Sequence, residues 1–309
     1  KDKEDEVEIA SFIRKINTLK DSIEIILSQA MENYVYWVEC SKNKRTNRIS
    51  INTAPINIGE ILKEELFNEE KPIIMTSATL SVDNGSFKYF KDRVGAGRAI
   101  EMKLGSPFDY KNQVRMYIAK DMPNPDNLTD YSNKAAERIK KYLDLTNGSA
   151  FVLFTSYSLM NSVYEELEEY LAEKGFNALR QGNGLSKNKM LTSFRKESGS
   201  VLFGVDTFWQ GIDVQGKALS NVIITKLPFA VPDHPVIEAR IEDIQKRGGD
   251  AFLEYNLPEA VLKFKQGFGR LIRSKSDTGV IAILDSRIIN KFYGKTFLNS
   301  IPECDIIIE

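Results

Sequence analysis

Two kinds of hydrophobic spacing organise the chain. In EVEIASFIRKINTLKDSIEIILSQAMEN (6–33), apolar residues fall at Ile9, Phe12, Ile13, Ile16, Leu19, Ile23, Ile26 and Leu27. This is the three-and-four repeat of a long amphipathic helix. YVYWVEC (34–40) and RISINTAPI (48–56) read as strands around the polar turn SKNKRTN, and IGEILKEELF (58–67) as a helix. KPIIMTSATL (71–80) predicts a short buried strand that breaks into a hydroxyl-rich loop.

The character changes in GSPFDYKNQVRMYIAKDMPNPDN, where a glycine, three prolines and an extended run predict a domain boundary near Gly105. Beyond it, helical patterns (130–146, 158–175, 186–198, 235–249 and 257–274) alternate with short apolar runs (149–157, 176–182, 199–206, 219–229 and 278–285). Strands apolar on both faces and separated by helices imply a parallel sheet covered on both sides. The predicted fold class is therefore α/β, with residues 106–309 forming one complete domain.

Composition narrows the function more than the fold. The 309 residues are 42% hydrophobic and 28% charged, as expected of a soluble globular protein. Forty-two basic and 43 acidic side chains leave a net charge of −1, so the strong positive charge of a dedicated nucleic-acid wrapper is missing, although a local basic groove is not excluded. Two distant cysteines, Cys40 and Cys304, cannot make a zinc or iron–sulfur site by themselves and suggest a reducing, cytoplasmic setting. There is no apolar run of membrane-spanning length. The opening KDKEDEVEIASFIRKI starts in mid-pattern, which leads us to expect a piece of a longer protein.

Ligands of such sheets collect at strand ends, where loops and helix N-termini converge. Four loops are candidates: TSATL (76–80), FTSYS (154–158), GVDTFWQGIDVQG (204–216) and QGFGRLIRS (266–274). In the last, Arg270 and Arg273 are expected about one turn apart on one face of a helix, a pair of guanidiniums suited to phosphate oxygens. The alternative is a helix C-terminus that simply favours cations. The hydroxyls of Thr155, Ser156 and Ser158 could cap a helix or hold a nucleic-acid phosphate. Trp209 could sit in the core or beside a ligand. Gly211 could admit close backbone approach, and Asp213 could orient the arginines. His234, the single histidine, has no identifiable nucleophile and reads as structural. No G-x-x-x-x-G-K-[ST] loop is present, and the acidic DEVE (5–8) makes a poor magnesium site. An arginine pair without its own phosphate-binding loop predicts a nucleotide held by another domain and reached across an interface. A small-molecule nucleotide enzyme would need its own glycine-rich loop.

IIMTSATLS, GSPFDY, FVLFTSY, VLFGVDTFWQGIDVQG, KLPFAVPDHPVIEAR and QGFGRLIRS occur in the order found in the XPD/DinG group of superfamily 2 helicases, and the resemblance covers nearly all of 34–309. It implies a RecA-like second motor domain over 106–309, the C-terminal part of a first motor domain over 34–105, and the end of an inserted arch-like helical segment over 1–33. It implies a parent that couples ATP hydrolysis, with Mg²⁺, to 5′→3′ translocation on single-stranded DNA. The ATP would be held by an N-terminal motor domain, and this chain alone would be inactive. By the same resemblance Arg270 and Arg273 are arginine fingers, Gln266 completes the catalytic set, and Thr76, Ser77, Thr79, Gly211 and Asp213 couple to the nucleotide. Thr155, Ser156, Tyr157, Asp206, Thr207 and Trp209 would contact nucleic acid, with Trp209 and Tyr157 as candidates for base stacking. No metal site is expected within the chain. The group commonly has Glu where this chain has Gln210 in WQGID. That departure keeps open a non-catalytic nucleic-acid-binding module on the same fold.

Overall fold

The structure, a computed structural model, describes residues 2–42, 47–68, 71–82, 85–209, 218–230 and 234–309. Along the chain run α1 (Asp2–Ser28), β1 (Tyr34–Lys42), β2 (Asn47–Pro55), α2 (Ile58–Glu65), α3 (Lys88–Val94), α4 (Tyr110–Gln113) and β3 (Val114–Ile118). Next come α5 (Leu128–Thr146), β4 (Ala150–Leu153), α6 (Tyr157–Glu173), β5 (Asn177–Arg180), α7 (Lys187–Lys196), β6 (Ser200–Gly204) and β7 (Asn221–Ile224). The last are α8 (Pro235–Lys246), α9 (Leu257–Phe268), β8 (Gly279–Ile283), α10 (Arg287–Asn290), α11 (Gly294–Ser300) and β9 (Asp305–Ile308). These fall into two compact units: Lys1–Ile73 with Lys91–Gly97 and Val231–Glu254, and Ile74–Phe90 with Arg98–Ala230 and Tyr255–Glu309.

In the first unit, β1 and β2 form an antiparallel hairpin in which Trp37 faces Asn52. His234 caps α8, its Nδ1 accepting the Val236 N–H at 3.3 Å, and its ring meets Trp37 edge-on at 5.7 Å. Arg240 Nε donates to the Ile56 carbonyl at 3.0 Å, which ties α8 to the segment after the hairpin. The amphipathic spacing of α1 does form a helix, but its apolar stripe, including Phe12, Ile16 and Leu19, is exposed.

The second unit is built on a seven-stranded parallel sheet ordered β5-β6-β4-β7-β8-β3-β9. The central strands AFVL, SVLFG and NVII are buried at every position, as strands covered on both faces must be, whereas the edge strand β9 is mostly exposed. On one face, Val152, Phe203, Ile223 and Ala282 pack with Tyr131, Ile139 and Tyr142 of α5 and with Met160, Val163 and Leu167 of α6. On the other, Phe151 meets Phe194 of α7 at 4.7 Å between ring centres. The α/β class with helices on both faces is therefore what the chain adopts.

One predicted element does not form. Residues 72–77 have no regular structure, and Ile73, Ile74 and Met75 are exposed rather than buried in a strand. Among the described residues no strand pairs with this run, and an apolar segment without a ladder partner leaves its backbone to solvent. No helix among the described residues is long and apolar enough to cross a membrane.

Candidate functional site

Trp209 joins three of the four candidate loops. β4 runs through Phe154 and Thr155 to Ser156, whose Oγ accepts the Leu159 N–H at 3.3 Å and so caps α6. β6 runs through Val205 into a single 3-10 turn at Asp206–Phe208, which delivers Trp209 into the interior. Its indole Nε1 donates to the Phe154 carbonyl at 2.8 Å. Its ring lies against Gly267 of α9, where an added Cβ would fall 3.0 Å from Cζ3. A glycine inside a helix costs about 1 kcal/mol against alanine, and here it lets a large ring approach the helix backbone. The Trp209 carbonyl accepts a hydrogen bond from Arg270 Nη2. Full burial gives Trp209 no free face on which a base could stack.

The arginines do not lie on a common helical face, as their spacing suggested. α9 ends at Phe268, Gly269 closes it with its N–H on the Lys265 carbonyl at 2.8 Å, and a turn follows. Beyond that turn, Asp277 braces the backbone around Arg273. Its Oδ2 accepts the backbone N–H groups of both Arg273 and Ser274 at 2.8 Å, and its Oδ1 accepts the Ser274 hydroxyl at 2.7 Å. Burial pushes the Asp277 carboxyl up, but the Ser274 hydroxyl and these two N–H groups outweigh it and leave its pKa below the usual aspartate value. Gln113 Nε2 donates to the carbonyls of Ser274 and Asp277, at 3.0 and 2.7 Å, and ties the turn to the start of β3. Arg270 is buried at 6% exposure and Arg273 is exposed, so the two guanidiniums occupy opposite environments. Gln266 is half-buried and its Oε1 has no hydrogen-bond partner.

The TSATL loop reaches the same helix by its trailing end. Lys265, beside Gln266, donates from Nζ to the Ser81 carbonyl at 2.6 Å. Burial, with the nearby Lys103 charge, lowers the Lys265 pKa. Thr76 and Ser77 are exposed, Thr79 is half-buried, and the Ser77 and Thr79 hydroxyls lie 3.3 Å apart.

At the ends of β4, β5 and β6 the predicted residues Thr155, Ser156, Tyr157, Asp206 and Thr207 gather with three that the sequence reading passed over. Gln181, just past β5, bonds Tyr157 and Thr207 through its side chain. Lys187, the first residue of α7, donates to the Thr207 carbonyl, and its pKa is lowered by burial and by the charge of Arg270. Lys263 of α9 pairs with Asp206 at 2.7 Å. The signal for Gln181 and Lys187 was the polar, glycine-spaced RQGNGLSK after an apolar strand; Lys263 carried none. Gln210, Gly211 and Asp213 lie outside the described residues. Among the described residues no group of three or more His, Cys, Asp or Glu side chains could hold a metal ion.

A parallel sheet covered by helices on both faces, with its strand-end loops bonded to an arginine-bearing helix end, has the α/β architecture of a RecA-like domain. The helicase C-terminal domain family (Helicase_C_2) matches residues 139–304, more than half of the chain, and the chain belongs to that family. It is 37% identical over 292 residues to the ATP-dependent DNA helicase YoaA of Haemophilus influenzae, covering 94% of this chain and 44% of that protein. It is 34% identical over 275 residues to the 3′-5′ exonuclease DinG of Bacillus subtilis, covering 87% of this chain and 29% of that protein. The chain thus spans less than half the length of the curated relatives it matches. In fold it is similar to the solved structure XPD_APO, with a TM-score of 0.63 and 17% identity over 95% of this chain and 59% of the other.

Proposed function

We propose that this chain is the C-terminal motor region of an ATP-dependent DNA helicase that moves 5′→3′ along single-stranded DNA. Its domains follow the same reading: 1–33 ends an arch-like insertion, 34–105 closes a first motor domain, and 106–309 is the second. The observation that carries the proposal is the Trp209 junction. A single buried residue belongs to the loop leaving β6, bonds the loop leaving β4 through its indole, and receives Arg270 from the segment after α9 on its backbone carbonyl. A shift of the strand-end loops therefore moves the arginine segment with them.

In this reading Arg273 reaches the terminal phosphate of ATP·Mg²⁺ held by a different motor domain. An exposed guanidinium on a braced turn suits the edge of a triphosphate. Hydrolysis of that nucleotide supplies the free energy for translocation. Arg270 and Gln266 position the segment, and Thr76, Ser77 and Thr79 couple through Ser81 and Lys265 to α9. Thr155, Ser156, Tyr157, Asp206 and Thr207 face the DNA backbone, which makes binding weakly sequence-selective and sensitive to salt. Gly211 and Asp213 belong to the same coupling set.

The test is Arg273→Ala in the full-length protein. DNA-stimulated ATP turnover should fall about a thousandfold while ATP binding stays nearly unchanged, because such an arginine acts on the transition state. Parallel loss of binding and turnover would remove Arg273 from that role.

A further inference from the structure

Gln181 makes three hydrogen bonds with one amide. The Val205 backbone N–H donates to its Oε1 at 2.7 Å, and its Nε2 donates to the Tyr157 hydroxyl at 2.8 Å and to Thr207 Oγ1 at 3.3 Å. The orientation of a side-chain amide must be assigned from its partners, and here one partner decides it. A backbone N–H can only donate, so the amide atom facing Val205 is the oxygen and the atom facing the two hydroxyls is the NH₂ group. That group has two hydrogens, enough for one on each hydroxyl. Tyr157 and Thr207 are therefore both acceptors toward Gln181, and the proton of each hydroxyl is left to point elsewhere. Both residues are exposed.

We propose that Gln181 is a positioning residue that sets the hydroxyls of Tyr157 and Thr207 as outward donors to a backbone phosphate of single-stranded nucleic acid. The inference rests on the function proposed above and adds how the grip is polarised. A phosphodiester oxygen only accepts hydrogen bonds, so hydroxyls held in the donor sense bind it without first reorganising. The Lys187 ammonium on the Thr207 carbonyl adds positive charge beside the same loop. Tyr157 opens α6 and Thr207 lies in the turn after β6, so one amide keeps two separate loops in register for one strand.

Gln181→Glu tests the idea with a side chain of the same shape. One carboxylate oxygen still accepts the Val205 N–H. The other replaces the NH₂ group and accepts from both hydroxyls, which turns their protons inward and their lone pairs outward. The measurement is binding of the full 309-residue chain to a fluorescent oligo(dT). Tyr157→Phe and Thr207→Val should each weaken binding several-fold, and Gln181→Glu about tenfold or more, the scale of hydrogen bonds to a charged acceptor. The decisive readout is the double variants. In the Gln181→Glu background the hydroxyls no longer donate outward, so removing either should cost little more. Added negative charge alone would instead let the losses multiply, and that result overturns the proposal. So does unchanged binding by both single hydroxyl variants, a comparison that stands even if Gln181→Glu melts early. Failure of the unaltered chain to bind oligo(dT) sinks the parent reading; good binding by it with indifferent variants sinks the role of Gln181 alone.

Discussion

Two short stretches follow α9, and they hold the same charged side chain in opposite ways. In 269–272, Leu271 and Ile272 are 2% exposed, and Arg270 lies among them with its guanidinium on the Trp209 carbonyl. In 273–277, Arg273, Lys275 and Ser276 are exposed, and a single carboxylate, Asp277, folds back to brace the backbone beneath Arg273. Taking a guanidinium out of water is costly unless its N–H groups find acceptors, so Arg270 serves the interior. An exposed guanidinium on a rigid turn loses little conformational freedom when it meets a phosphate. Three residues thus separate a side chain packed inside the domain from one that faces solvent and that the proposed function sets against the phosphate.

The largest test of this contrast is the stability of the two alanine variants. Arg270→Ala removes a buried side chain and leaves the Trp209 carbonyl without its donor, for a loss of about 3 kcal/mol in urea unfolding. Arg273→Ala should stay within about 0.5 kcal/mol of the parent. Equal losses would erase the distinction between the two stretches.

Trp209→Phe sharpens the same point from the other end of the bond. It keeps most of the ring against Gly267 but strips the indole N–H from the buried Phe154 carbonyl. We expect a loss of about 2 kcal/mol, read from the same unfolding curves. A neutral substitution would mean that ring packing, and not the hydrogen bond, joins the loops.

How much of this was legible in the sequence depends on whether a feature is local. The buried strands AFVL, SVLFG and NVII and the helices between them announce themselves by spacing and composition, and the parallel sheet follows. The stripe on α1 announces a helix equally well, yet it is exposed, because periodicity fixes conformation and only a partner fixes burial. The run 71–80 has the same local signature of a strand and pairs with no strand among the described residues. The short α10 and α11 and the edge strand β9 carry too little periodicity to be read. At the site, Ser156 was visible as one of three candidate caps, with Thr155 and Ser158. The brace beneath Arg273 was not, because it depends on Asp277 reaching back to Arg273 and Ser274, and neither was Gln181, whose partners lie on two other loops. Arg270 and Arg273 look alike in a sequence; a carbonyl 61 residues away makes them different.

The smallest effect concerns the brace itself. Asp277 has a folded pKa below its ordinary value of 3.8, with burial opposing and the Ser274 hydroxyl and the two N–H groups prevailing. A carboxylate lowered in this way stabilises the fold above the unfolded value, and that contribution is lost as pH falls through the folded one. Asp277→Asn cannot carry the charge that draws both N–H groups, so it should be slightly less stable than the parent at pH 7. Glu309, Asp121 and Asp144 also have lowered pKa values, but they titrate alike in both proteins, and subtracting one stability curve from the other removes them. The remaining difference should be constant near neutrality and shrink as pH falls below the ordinary aspartate value of 3.8 and on through the lowered folded one. A difference that persists at full size in acid would show that the geometry of the turn, rather than the charge of Asp277, holds Arg273 in place.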